Sequence, residues 1–197
     1  DVIFVGRVTS TNARFGINDR VIVTDVTFQV EALVHTGDAV TADVTRQITL
    51  TFAGGQIGDH GLSVSGVPSF TVGQSYVVFS RLDGQSYMNP LIGGAQGLFK
   101  VVADVATGDA YPLTLGHLGI TAVRDSKLEY SSKVDRIERG VATLAAAEFV
   151  MAPPGKPPAG SADSVQAPRS AAPAPLLSLN QFISEIQSVL LKDPPSD

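Results

Sequence analysis

The sequence predicts a mainly β protein, an antiparallel β-barrel followed by a small helical C-terminal extension. Three observations predict it. Residues 21–34 alternate apolar and polar side chains, the pattern of a strand with one buried and one solvated face. Short apolar runs recur between glycine-containing turns over residues 1–115, which is typical of closed or nearly closed antiparallel barrels. A proline-rich segment and a one-sided apolar stripe follow near the C-terminus.

The run at residues 21–34 is the clearest strand. One parity carries the side chains predicted to face the core: Ile22, Val26, Phe28, Val30 and Ala32. The other parity carries polar side chains predicted to face solvent: Asp25, Thr27, Gln29 and Glu31. β-Branched residues are frequent in the run, which favours a strand over a helix. We therefore expect Phe28 and Val30 in the core.

Further strands are predicted on both sides of this run. They cover residues 2–10, 43–53, 62–70, 76–79 and 98–102. Gly6 interrupts the first of them, and a glycine inside a strand indicates a bulge or a tight bend. The glycine-rich stretches 54–61 and 93–97 are predicted to be loops at the barrel rim, with the second leading into a bulged strand.

Residues 116–151 are predicted to be a mixed extension that packs on the barrel domain of residues 1–115. The alanine-rich run from Ile137 to Met151 favours a helix of about three turns. Its apolar face would consist of Val141, Leu144, Ala145 and Phe149. Gly140 opposes this interpretation, because glycine destabilises a helix interior.

Residues 152–175 are rich in proline and alanine and predict an extended linker without a core of its own. An amphipathic helix is predicted next, over residues 176–193. Ser178 and Gln181 have the spacing of a capping box at its start, and Pro194 follows its end. The apolar stripe consists of Leu179, Phe182, Ile183, Ile186, Val189 and Leu190.

A one-sided helix of this length is not stable alone in water, so the stripe must dock on another surface. The linker is long enough for that surface to belong to the same barrel or to a neighbouring molecule. The sequence leaves both alternatives open. The predicted partner-binding residues of the helix are Leu179, Phe182, Ile183, Ile186 and Leu190.

Composition restricts the possible partners and the compartment. The formal net charge is −5 and only 17% of the residues are charged, which argues against nucleic acid and anionic membranes as partners. The absence of cysteine excludes thiolate catalysis and a cysteine-based zinc site. No apolar run approaches the ~20 residues of a membrane span. The strand-like start without an initiator methionine is expected of a mature secreted or periplasmic protein, as in many bacteria.

No motif in the chain predicts catalysis, a cofactor or a metal. Ser63 lies in a glycine-flanked stretch, but the spacing differs by one residue from a nucleophile elbow. His35, His60 and His117 lie beside glycines in predicted turns, without the spacing of metal ligands. The glycines at 93–97 precede a strand and not the helix N-terminus that a phosphate site requires. We expect a protein that is not an enzyme.

Four stretches carry a resemblance to a known family. They are Ile3-Phe4-Val5-Gly6-Arg7-Val8, Thr24-Asp25-Val26-Thr27-Phe28-Gln29-Val30-Glu31, Gly37-Asp38, and Phe70-Thr71-Val72-Gly73-Gln74-Ser75-Tyr76-Val77-Val78-Phe79. In this order they resemble the netrin-like, or tissue-inhibitor-of-metalloproteinase-like, oligonucleotide/oligosaccharide-binding (OB-like, Greek-key) barrel. The resemblance implies a secreted barrel that acts through its surface. The inhibitors of that family use an N-terminal cysteine, whereas residue 1 here is Asp1, so their inhibitory chemistry does not carry over.

Two functional hypotheses follow. The first is a secreted, non-enzymatic structural or interaction protein that assembles with itself into an extracellular oligomer or filament through its linker and C-terminal helix. The alternative is a binding module, or an inhibitor of an extracellular hydrolase such as a protease, that acts through the rim loops. In that case Gln56 and His60, in the loop at residues 54–61, are predicted to contact the partner. Both hypotheses imply a protein partner and no cofactor.

Overall fold

The computed structural model describes residues 1–16, 21–37, 46–83, 85–104, 107–124, 127–138, 141–144 and 175–192. This part of the chain forms a mainly β fold with one α-helix near the C-terminus, as the sequence predicts. The strands are β1 (Val2–Phe15), β2 (Ile22–Thr36), β3 (Gln47–Ala53), β4 (Gly55–Ile57), β5 (His60–Leu62), β6 (Ser75–Ser80), β7 (Leu98–Ala103), β8 (Ala110–Thr114), β9 (Leu118–Arg124), β10 (Lys127–Glu138) and β11 (Val141–Leu144). The helix is α1 (Leu179–Lys192).

Nine strands form one antiparallel sheet in the order β11-β10-β9-β8-β7-β6-β1-β2-β3, and β4 and β5 form a separate hairpin. The closed barrel predicted from the sequence is not found in the described residues, because β3 and β11 are the two ends of the sheet and do not pair. A barrel requires its first and last strands to meet. Here residues 118–144 add three strands beyond β8, so the sheet continues outward and stays open.

The helix predicted from Ile137 to Met151 is wrong where the structure describes it. Val141 and Leu144 lie in β11, which pairs antiparallel with β10. Ala145 and Phe149 lie outside the described residues. The strand forms because β10, which ends at Glu138, offers a partner edge, and this antiparallel pairing overrides the helix preference of the alanines.

The strand predicted at residues 62–70 is also wrong. Only Leu62 belongs to a strand, and residues 63–70 have no strand structure. The predicted loop at 54–61 instead contains most of the β4–β5 hairpin. The predicted strands at 76–79 and 98–102 are confirmed as β6 and β7.

The predicted glycine-rich strand entry at 93–97 is a short 3-10 turn, Gly94–Gly97, before β7. Gly97 is required there, because a Cβ at this position would overlap the carbonyl oxygen of Ile92. Two chain segments therefore approach closely at this position, and the bulge expected at the strand entry is replaced by a turn.

A bulge in β2 changes the face of the sheet toward which its side chains point. Val5 of β1 pairs with Ala32 and the next residue, Gly6, pairs with Val30, so Glu31 is an extra residue on β2. An extra residue reverses the alternation of faces beyond it. Phe28 is fully buried and Val30 packs in the same cluster, as predicted, but Ala32 packs in the cluster on the other face of the sheet.

The first of these clusters is centred on aromatic rings and is called here the aromatic cluster: Phe4, Phe28, Phe52, Phe70 and Tyr76. The centroid of the Phe70 ring lies 4.8 Å from that of Phe52, 5.6 Å from that of Phe28 and 5.5 Å from that of Tyr76. Phe70 belongs to a segment without strand structure, yet it joins rings from three strands. This face of the sheet is therefore closed by loop segments.

The opposite face, called here the helix-covered face, buries Val5, Val77, Phe99 and Ile120 against α1. Phe182 is fully buried, and its ring meets that of Phe99 edge-on with centroids 5.4 Å apart. Fully burying an aromatic side chain contributes about 1.5–3 kcal/mol by area alone, so Phe182 is the main anchor of the helix.

A capping box and contacts with β9 fix the start of α1. The backbone N–H of Ser178 donates to Gln181 Oε1 (2.9 Å), and the backbone N–H of Gln181 lies 3.4 Å from Ser178 Oγ, which confirms the predicted capping box. Upstream, the N–H of Leu177 donates to the carbonyl of Ile120 (2.8 Å). A Cβ on Gly119 would lie 2.5 Å from the nearest methyl carbon of Leu176, so a glycine in β9 makes room for the segment that leads into the helix.

Candidate functional site

A cavity of about 580 Å³ opens beside the aromatic cluster, beneath the β4–β5 hairpin. We call it the hairpin cavity. Its lining comes from β1, β2, β3, the hairpin and the loop that follows: Thr11, Thr24, Val26, Phe52, Ala53, Gly54, Gly55, Gln56, Gly61, Leu62, Ser63, Val64, Val67, Pro68, Ser69 and Phe70. None of these residues is charged or titrates near neutral pH. The cavity is of the size that accommodates a small ligand or a large side chain.

A pair of glycines turns the hairpin back over the sheet. Gly54 and Gly55 have φ angles of 104° and 134°, which side-chain-bearing residues rarely adopt. A Cβ on Gly55 would overlap the hydroxyl of Thr24, and that hydroxyl donates to the carbonyl of Gly54 (2.7 Å). The close approach of the chain to Thr24 sets the position of the hairpin and thereby the roof of the cavity.

The floor of the cavity is apolar and its rim is polar. Val26 and Phe52 are buried beneath it, and Phe70 is half-buried in its wall. Hydroxyl and amide side chains at the edge supply hydrogen-bonding groups: Thr11, Gln56, Ser63 and Ser69. An apolar floor with a few neutral polar groups fits an uncharged ligand group that carries apolar surface.

The two loop residues predicted to contact a partner are placed differently. Gln56 lies at the cavity rim, exposed, and its amide donates to the carbonyl of Gly58 (3.2 Å). His60 lies in β5 opposite Ile57, exposed on the hairpin and outside the cavity lining. The structure thus brings only Gln56 to this cavity.

The predicted partner-binding residues of the helix face their own sheet. Phe182 is fully buried, and Leu179, Ile183 and Ile186 pack, half-buried, against the helix-covered face. Leu190 is half-buried nearer the helix end. In this structure the helix therefore docks on its own molecule, which is one of the two alternatives that the sequence leaves open.

A second concavity, of about 480 Å³, lies on the other side of β3, between its outer surface and residues 81–90. We call it the outer groove. Arg14 and Thr51 line it, and both contact Asp25. Arg14 forms an ion pair with Asp25 (Nε to Oδ2, 2.5 Å), and the hydroxyl of Thr51 donates to Asp25 Oδ1 (2.6 Å). The hydrogen bond from Arg14, with that from Thr51, holds the pKa of Asp25 below its usual range despite partial burial. The charge of Arg14 is thus neutralised beside the groove.

A second polar cluster lies at the opposite wall of the outer groove. The hydroxyl of Tyr87 donates to Asp83 Oδ2 (2.5 Å), and the backbone N–H of Gln85 donates to Asp83 Oδ1 (3.0 Å). These hydrogen bonds, first that from Tyr87, lower the pKa of Asp83, and the same contact raises the pKa of Tyr87. Arg81 lies with its guanidinium carbon 5.2 Å from the centre of the Tyr87 ring.

This groove is not among the sites predicted from the sequence. Its only local signal is the Asp83-Gly84 pair, which indicates a turn and nothing more. Asp25 and its two partners lie on three different strands, and no spacing along the chain brings them together.

Within the described ranges, no group of three or more histidine, cysteine, aspartate or glutamate side chains is placed to hold a metal ion. No helix in that part of the chain is long and apolar enough to cross a membrane. Comparisons with protein-family models, with curated proteins and with solved structures yield no match for this chain. The functional conclusion therefore depends on the geometry of the molecule itself.

Proposed function

We propose that this protein is a non-enzymatic binding module that receives an uncharged, apolar side chain of a partner protein in the hairpin cavity. The observation that carries the proposal is the lining: an apolar floor, a rim of hydroxyl and amide groups, and no ionisable side chain among its sixteen residues. At protein interfaces, binding energy is concentrated in buried pockets that exclude water and accept a single large side chain.

The chemistry of the lining supports binding over catalysis. A general acid or base must lie within hydrogen-bonding reach of the reacting group and titrate near the working pH. Ser63, the only residue that the sequence suggests as a nucleophile, lines a cavity whose other walls carry no histidine, lysine or carboxylate to activate it.

The surroundings of the cavity support a macromolecular partner. The hairpin presents Gln56, His60 and Leu62 to solvent beside the opening, so a partner that fills the cavity also meets an exposed rim. A central apolar pocket with a polar rim is the usual anatomy of a protein–protein interface.

The netrin-like, OB-like resemblance and the role of a hydrolase inhibitor remain hypotheses within this proposal. An inhibitor is one kind of binding module, and the hairpin is the rim element that would contact the hydrolase. The other hypothesis, self-assembly through the linker and helix, is less favoured, because the apolar stripe of α1 already packs on its own sheet.

The test uses the full chain and a neutral probe, N-acetylphenylalaninamide, with N-acetyllysinamide and the α-amide of N-acetylaspartic acid as charged comparisons. Amide chemical shifts of Gly54, Gly55 and Leu62 are expected to change with the neutral probe and not with the charged ones. The Ser63→Trp substitution fills the opening and is expected to abolish these changes. Ser65→Trp, two residues away and outside the lining, is the matched control and is expected to retain them.

The protein partner is tested by selecting displayed random peptides on the full chain. Selected peptides are expected to share one uncharged apolar residue and to lose binding to the Ser63→Trp protein while still binding the Ser65→Trp protein. Shifts of equal size with all three probes, or selected peptides that bind both variants equally, would refute the proposal.

A further inference from the structure

Strand β3 ends the nine-stranded sheet, and one of its two edges faces away from β2. The hydrogen bonds identify the backbone groups on that edge. The N–H of Gly54 donates to the carbonyl of Ile22 (2.8 Å), and the N–H of Val30 donates to the carbonyl of Arg46 (2.9 Å). The even-numbered residues of β3 therefore direct their backbone groups toward β2. Since alternate residues of a strand direct their backbone groups to opposite edges, those of Gln47, Thr49 and Thr51 point outward.

Ala53, the next odd-numbered residue of β3, confirms this direction. Its N–H points away from β2 and donates to the carbonyl of Met88 (2.8 Å). The segment around Met88 thus covers one end of the edge. The outward N–H and C=O groups of Gln47, Thr49 and Thr51 have no hydrogen-bonding partner among the described residues.

This edge lacks the devices that usually prevent strand pairing. Edge strands are commonly protected by lysines, prolines or bulges. The sequence from Gln47 to Thr51 has no charge and no proline. Its register with β2 runs without a bulge, from the pair Gln29 and Gln47 to the pair Val23 and Ala53. Over Gln47–Thr51 the strand is straight in register and uncharged, and no described residue pairs with its outer edge, which borders the outer groove.

We propose that β3 pairs antiparallel with β3 of a second copy of this chain, around a two-fold axis at Thr49. In this register Thr49 lies opposite the same residue of the second copy, and Gln47 lies opposite Thr51. All three outward-facing residues then exchange backbone hydrogen bonds, about two for each pair of residues. A two-fold interface must be complementary to itself, and this arrangement opposes no like charges.

The side chains at this edge favour the second copy over an unrelated peptide. Thr27 and Thr49 already lie side by side on β2 and β3, with their hydroxyl oxygens 3.1 Å apart. Pairing through Thr49 extends this row of hydroxyl groups across the interface, where cross-strand threonine pairs are stabilising. The nearest ion pair, Arg14 with Asp25, is internally neutralised and lies on the adjoining strands, so it does not oppose the approach of the second copy.

The test is the oligomeric state of the full chain by sedimentation across protein concentrations. The wild-type protein is expected to form a dimer, and Thr49→Lys to be monomeric because identical charges then face each other across the axis. Gln29→Lys is the matched control: it places the same charge on the same face of the neighbouring strand, away from the edge, and is expected to remain dimeric.

Charge complementation makes the test specific. Mixing the Thr49→Lys and Thr49→Asp proteins is expected to give a heterodimer, although each alone is monomeric. Amide hydrogen exchange at Gln47, Thr49 and Thr51 is expected to slow as the wild-type concentration rises. Ser63→Trp, which blocks the hairpin cavity, is expected to leave the dimer intact, so failure here and failure of the proposed function are distinguishable.

Three results would overturn the inference. They are a wild-type protein that stays monomeric at all concentrations, a dimer that survives Thr49→Lys, and a mixture of the two charged variants that remains monomeric. A dimer that survives the lysine would indicate an interface elsewhere on the molecule. A monomeric wild type whose edge amides become protected by an added peptide would assign the edge to a peptide partner instead.

Discussion

The two faces of the sheet bury similar kinds of side chain but are closed in different ways. α1 covers one face and leaves Phe182 fully buried against Phe99. Loop segments cover the other, where Phe70 reaches the aromatic cluster from a stretch without regular structure and a cavity of about 580 Å³ remains beside it. A helix presents apolar side chains every three or four residues and can seal a sheet, whereas a loop contributes single side chains and leaves gaps. The gap lies on the loop-covered face, where we place the function.

The largest effect should come from the helix-covered face. Replacing Phe182 by alanine removes a fully buried ring from a site with little room to collapse, and we expect the free energy of unfolding to fall by about 3–5 kcal/mol. Denaturant unfolding measures this loss. Leu191→Ala, at a position that is 86% exposed on the same helix, is the control and should change the free energy by less than about 0.5 kcal/mol. Equal losses in the two variants would contradict the docking of α1.

A smaller effect is expected on the loop-covered face. Phe70 is half-buried and borders an existing cavity, so truncating it to alanine removes fewer contacts than truncating Phe182. We expect a loss of about 2 kcal/mol, below the range for a fully buried phenylalanine. The same substitution removes one wall of the hairpin cavity and should weaken binding of N-acetylphenylalaninamide. If Phe70→Ala destabilises the protein as much as Phe182→Ala, the two faces are equally well sealed and the comparison fails.

The smallest effect concerns the outer groove, outside both cores. Because the pKa of Asp25 is lowered in the folded protein, chiefly by its hydrogen bond from Arg14, its carboxylate stabilises the fold above the unfolded-state pKa of about 4. That stabilisation is lost as the pH falls through the lowered folded-state pKa. Asp25→Asn should therefore reduce the free energy of unfolding by up to about 1 kcal/mol at pH 7 and by less near pH 2.

Urea unfolding at both pH values measures this difference. Glu129→Gln is the control, because Glu129 lies 3.6 Å from Arg124 in a well-exposed pair and should contribute less at either pH. An Asp25→Asn effect that is the same at pH 7 and pH 2 would show that the ion pair does not stabilise the fold.

The features that the sequence predicts correctly depend on neighbours along the chain. The capping box joins Ser178 to Gln181, three residues apart, and the alternation of β2 holds from Ile22 to Val30. The errors arise where the pairing of one segment with another decides the outcome. Val141–Leu144 pairs antiparallel with β10, which ends three residues before it, in place of the predicted helix. Gly6 indicates a bulge in the first strand, but only the register with β2 shows that the extra residue there is Glu31.

The candidate cavity was predictable only in part. The glycines at 54–61 marked the right loop, and Gln56 does reach the cavity rim. The sequence predicts a strand at Phe70 that does not form, and it does not indicate the position of this ring in the cavity wall. Thr24, which fixes Gly54 by a hydrogen bond, lies 30 residues earlier in the chain, and only folding reveals that contact.

The docking of α1 also sets an order of events during synthesis. The apolar sheet residues on the helix-covered face, the latest of them Leu128, are made about 50 residues before Phe182. At ~5–20 residues per second, the sheet then stays uncovered for roughly 3–10 seconds. Throughout that interval Phe99 and its neighbours form an open apolar surface on a growing chain. The nascent protein is therefore most prone to aggregation, and most in need of a chaperone, just before its helix is made.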